Sequence, residues 1–81
     1  MTEARVDNVK LHDNVYLKTA AGYDTYRVTA IHTSSLGSDR KELYGLLIQH
    51  GENPVDPKRR SIYNNFYSIS GGIFPHLFKR D

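Results

Sequence analysis

The chain has 81 residues, of which 38% are hydrophobic and 25% charged, with a net charge of +2 and no cysteine. That length holds one hydrophobic core and excludes a second domain, while the apolar fraction argues against a fully disordered chain. The missing cysteines exclude a disulfide framework and a thiolate metal site. The longest apolar run, Leu46 to Ile48, is far too short to span a bilayer, and the polar start lacks the apolar stretch of a signal peptide. An intracellular protein, cytoplasmic or nuclear and without a membrane partner, is the expectation.

In chain order, residues 1–8 read as a flexible N-terminal tail to the single domain of residues 1–81. Val9 and Leu11 alternate with polar neighbours, and His12 to Asn14 read as a turn or bulge. Val15 and Leu17 then alternate with Tyr16 and Lys18, the period-two pattern of a half-buried strand. Ala20 to Asp24, with Gly22, supply a turn into a β-branched strand from Thr25 to Thr33. Tyr26, Val28 and Ala30 share one face of that strand, and Ile31 falls on the other, so a bulge or burial on both sides is expected.

Residues 34–42 are polar and read as an exposed, mobile loop. Leu43 to His50 form the third strand, with Tyr44, Leu46 and Ile48 on one face and Leu47 on the other, which places it centrally in the sheet. Residues 51–57 carry Pro54 and Pro57 and form a second long loop, because proline has no ladder donor. Residues 61–69 hold Ile62, Tyr63, Phe66, Tyr67 and Ile69 and fit a bulged strand, two short strands or one helical turn before a strand. Gly71 and Gly72 turn the chain into Ile73 to Phe78, where Pro75 restricts the piece to an edge or a non-strand position.

About five short strands and two long loops, with no amphipathic helix, describe a mainly β chain, and closure into a small barrel would remove its exposed edges. Asp13-Asn14-Val15-Tyr16-Leu17 and Tyr26-Arg27-Val28-Thr29-Ala30-Ile31 resemble the opening strands of SH3-like barrels, including the Tudor, KOW and BAH groups. The resemblance covers about the first 50 residues and implies a small SH3-like barrel.

No catalytic or cofactor pattern stands out. His12, His32, His50 and His76 are 18 to 26 positions apart, whereas structural zinc ligands pair at two to five residues. No serine lies in a nucleophile elbow, and the glycines are too sparse for a phosphate loop. Neither enzyme, metal site nor cofactor is expected.

Charge is the more informative signal. Residues 1–57 carry six Lys/Arg against eight Asp/Glu, a charge of −2; residues 58–81 carry five against one, a charge of +4. Lys58, Arg59, Arg60, Lys79 and Arg80 supply the basic third, and Arg40 and Lys41 add a mid-chain pair. Tyr63 and Tyr67 lie in the same third. Aromatic faces stack on bases while cations meet phosphates, so these nine residues form a candidate surface for nucleic acid, DNA or RNA. Tyrosine and arginine are also enriched where proteins meet, which leaves a protein partner, a subunit role or a homodimer as the alternative.

Overall fold

The alternating stretches pair into one antiparallel sheet of seven strands. A computed structural model describes residues 1–33, 40–61 and 63–80. The strands are β1 (Thr2–Arg5), β2 (Asn14–Thr19), β3 (Gly22–Thr33), β4 (Lys41–His50), β5 (Asn53–Pro54), β6 (Tyr63–Tyr67) and β7 (Ile73–Lys79), with 3₁₀ turns at Pro57–Arg59 and Ser70–Gly72. Their order is β1-β7-β2-β3-β4-β5, and β6 also pairs with β4. The sheet is mainly β as expected, but it is not closed into a barrel: β1 lies at one edge, and β5 and β6 share the other. No helix among the described residues is long and apolar enough to cross a membrane.

The segment read as a flexible tail contains β1, which pairs with β7, and its Ala4 is fully buried. The expected loop at 34–42 falls mostly on residues 34–39, outside the described residues, as does Ile62. The second expected loop is instead a tight hairpin. Gly51 takes φ +52°, which lets His50 pair with Asn53 and Gln49 with Pro54, and the amide of Val55 continues the ladder to the Ile48 carbonyl. Pro54 is tolerated because β5 is an edge strand.

Residues 73–79 depart furthest from the sequence reading, because Pro75 sits in a strand with neighbours on both sides. The ladders explain why. Against β1, Glu3 pairs with Phe78 and Arg5 with Ile73, so Ala4 alone faces residues 74–77; against β2, pairing reaches only as far as Leu77. Pro75 therefore occupies a bulge where neither neighbour asks for its missing N–H, and His76 beside it takes φ +59°.

Between β2 and β3 the positive φ falls on Gly22, at +125°, while Thr19 donates its hydroxyl to the Gly22 carbonyl. Strand β3 carries irregularities between Thr25 and Tyr26 and between Val28 and Ala30. The second is the expected bulge, and it turns Ile31 toward the core while leaving Ala30 exposed.

The core comprises Ala4, Val9, Val15, Tyr26, Val28, Leu43, Leu47, Phe74 and Leu77. Strand β4 is central, as expected, but its buried face is Leu43, Gly45 and Leu47, and Tyr44, Leu46 and Ile48 form the half-buried outer face. Gly45 is needed there. A Cβ on it would stand 3.0 Å from the Tyr26 Cβ and 3.3 Å from the Phe66 ring. Those two rings meet edge to face at 5.3 Å across it, and Asn64 donates to the Tyr26 hydroxyl at 2.6 Å. Burial, then the charge of Asp24, raises the Tyr26 phenol above its ordinary value and keeps it neutral.

Candidate functional site

Strand β6 alternates cleanly. Asn64 and Phe66 turn inward, and Tyr63, Asn65 and Tyr67 turn outward. Register against β4 sets Tyr67 opposite Glu42, Asn65 opposite Tyr44 and Tyr63 opposite Leu46; β3 then sets Arg27 opposite Leu46, and β2 sets Asn14 opposite Arg27. Because directly opposed residues share a face, a row of outward side chains runs Tyr63, Leu46, Arg27, Asn14 across four strands. In β2, Tyr16 stands two residues from Asn14 on the same outer face.

Tyr63 and Tyr67 remain 60% and 53% exposed although they stand on an ordered strand. Hydrogen bonds order the face around Tyr67. Asn65 donates to the Tyr67 hydroxyl at 2.6 Å, and Tyr44 donates to a Glu42 carboxylate oxygen at 3.1 Å. That hydrogen bond, with the Glu42 charge, raises the Tyr44 phenol and keeps it protonated at neutral pH.

The nine sequence-predicted residues divide. Arg40 is exposed and lines a small cleft of about 190 Å³ with Tyr67, Lys41, Glu42 and Ser68. Lys58 and Arg59 lie exposed in the 3₁₀ turn, whose first free amide is capped by Asp56. Arg60 is half-buried and donates from Nε to the Val55 carbonyl. Arg80 is exposed, with its guanidinium 5.7 Å from the centre of the Tyr16 ring. Lys41 and Lys79 are structural ties: Lys41 Nζ donates to the Val6 carbonyl at 2.9 Å, and Lys79 Nζ meets the Asn8 carbonyl and lies 3.0 Å from the Asp13 carboxylate. Both clamp the connection between β1 and β2, whose Val9 enters the core.

Ile48 touches segments that lead to both basic clusters. Its carbonyl holds Val55, three residues ahead of Lys58, and its side chain lines a hollow with Tyr16 and Arg80. Sequence reasoning missed Tyr16, Arg27 and Tyr44 as members of the outer face. Alternation puts each on the face opposite Val15, Val28 or Leu43, but only the register shows which face is outward and that they join Tyr63 and Tyr67 there. Among the described residues no three His, Asp or Glu side chains gather in a metal-holding group. No protein-family model, characterised protein or solved structure matches the chain.

Proposed function

We propose that this chain is a non-enzymatic nucleic-acid-binding module that holds a single strand across the outer face of its sheet. The observation that carries the reading is the pair Tyr63 and Tyr67, presented outward four residues apart, with Asn65 between them, on a strand whose Asn64 and Phe66 turn inward. Exposed rings held in order are stacking platforms, worth about 1–3 kcal/mol per base, and they bind with little sequence preference. Arg40 lines a cleft with Tyr67, and further cations lie at a distance: Arg27 two strands from Tyr63 in the same row, Arg80 over Tyr16, and Lys58 and Arg59 on the turn that precedes β6 in the chain. The order of the strands, with a 3₁₀ corner sending the chain from β6 into β7, suits an SH3-like barrel lacking one ladder of closure.

A protein-interaction role, including a homodimer, is the second reading. It is favoured by the pairing of β6, which among the described residues ladders with β4 alone, so that its other edge can accept a strand from a partner. Titration with single-stranded and duplex oligonucleotides at several salt concentrations separates the two. Nucleic-acid binding is expected to weaken steeply with salt as phosphate neutralisation releases counterions. Replacing Lys58, Arg59 and Arg60 by alanine together should flatten that slope, and Tyr63→Ala should weaken single-strand binding by about 1–3 kcal/mol. No binding at about 50 mM salt, with a mass that grows with protein concentration, would establish the interaction module instead.

A further inference from the structure

Between β2, β3 and the Gly51 turn, the outer face opens into a hollow of about 470 Å³, within the range of small-molecule sites. Its aromatic walls are Tyr16 and Tyr23. Tyr23 is braced by Phe78, edge to face at 6.1 Å, and Thr25 beside it is buried. Carboxamides line it from two strands, Asn14 and Gln49, and Arg80 supplies a cation.

The charges select the ligand. Among the described residues no carboxylate lines this hollow, whereas its neighbour across Gly51, of about 490 Å³, carries Asp24, Glu52 and His50. A cationic guest is repelled by Arg80 and meets no carboxylate among the described lining residues, so the site favours an anion with a flat aromatic part. Arg80 lies over the Tyr16 ring, where its guanidinium can meet a phosphate while it stacks on the aromatic face. The Gln49 amide nitrogen donates to the Gly51 carbonyl at 2.9 Å, which leaves its oxygen as an acceptor, while Asn14 offers a donor and an acceptor together.

We propose that this hollow takes one nucleotide, with the base against Tyr16 and Tyr23, its edge read by Asn14 and Gln49, and its phosphate on Arg80. An acceptor beside a donor–acceptor pair suits a base with an exocyclic amine next to a ring acceptor, as in adenine. The proposal rests on the reading of the outer face as a nucleic-acid surface, and it adds to that sequence-tolerant track one position that discriminates between bases.

The test is amide NMR of the full chain titrated separately with adenosine 5′-monophosphate, uridine 5′-monophosphate and inorganic phosphate, beside binding of a long oligothymidylate. Support would be adenosine monophosphate moving the amides of Asn14, Thr25 and Gln49 with at least about threefold tighter half-saturation than the uridine nucleotide, a several-fold difference being what one well-placed contact gives. Asn14→Ala should abolish that difference with the spectrum otherwise preserved; a difference that survives the substitution would overturn the reading of the base edge by Asn14. Inorganic phosphate alone reproducing the shifts would overturn the base-reading site and leave an anion contact. Unmoved amides in a protein that still binds the oligonucleotide would overturn the hollow and spare the track. Adenosine monophosphate binding with no oligonucleotide binding would uphold the hollow and overturn the track.

Discussion

Strands β6 and β7 both come from the basic, aromatic C-terminal third, and they use the same kinds of residue in opposite ways. In β7, Phe74 and Leu77 are buried, and Lys79 is tied to Asn8 and Asp13. In β6, Tyr63 and Tyr67 face solvent and only Phe66 and Asn64 reach inward. Position in the sheet makes the difference. Strand β7 lies between β1 and β2, whereas β6, among the described residues, ladders with β4 alone, so the rings and the lysine of β7 are recruited to hold the fold while the two tyrosines of β6 stay available. Local density of charge and aromatics thus says little about a site until the neighbours of the segment are known.

Truncating Leu77, fully buried in β7, should cost the most. Leu77→Ala is expected to lose about 2–5 kcal/mol in urea unfolding, the transfer and cavity cost of a buried leucine. Next comes the inner side of β6. Gly45→Ala would push a methyl against the Tyr26 Cβ and the Phe66 ring and should lose about 1–3 kcal/mol by overpacking. Because the strain falls on the contact that seats β6, the same variant should also weaken oligonucleotide binding if the outward tyrosines depend on that seat.

The clamp on β7 gives a pH signature. Burial would raise the Asp13 carboxyl, but the Lys10 amide bonded to it and the Lys79 ammonium outweigh burial and hold it below its ordinary value of 3.8. The folded state therefore binds this proton less tightly than the unfolded state. Its contribution is complete above pH 3.8 and is lost as pH falls through the lower folded value. Urea midpoints of the parent and Asp13→Asn should differ at neutral pH and draw together below about pH 4; a gap that stays constant with pH would rule out the ion pair as its source. The smallest effect belongs to β6: Tyr67→Ala should change stability by less than about 1 kcal/mol. A loss as large as that of Leu77→Ala would erase the contrast between the two strands.

The strands of the middle of the chain are legible in the sequence because their alternation is regular: Val15 and Leu17, the β-branched run to Thr33, and the run from Leu43 all mark strands that form. Alternation does not say which face is buried. Tyr44, Leu46 and Ile48 are as apolar as Leu43 and Leu47, and the choice between them is made by Gly45, the position at which Tyr26 and Phe66 can meet. Strands β1 and β7 were hidden for different reasons. Thr2–Arg5 is too short and polar to announce itself, and Pro75 forbids a regular ladder but not a bulge. At the candidate site, the tyrosines and the triplet at 58–60 were visible as types, but the diversion of Lys41 and Lys79 to backbone carbonyls depends on partners 35 and 71 positions away, which no local pattern encodes.

The pairing of Thr2 with Lys79, which closes the contact between β1 and β7, also sets a kinetic order. Bringing together segments 77 residues apart carries the largest loop-closure entropy in the chain, so this ladder forms after β2, β3 and β4 have shortened the path between its ends. Interactions that appear after the rate-limiting step leave the folding rate alone and govern escape from the native state. Shaving the buried Ala4 to glycine should accordingly speed unfolding with little change in refolding. That outcome would make the β1 ladder a latch, setting how long the native state lasts and not how quickly it is reached.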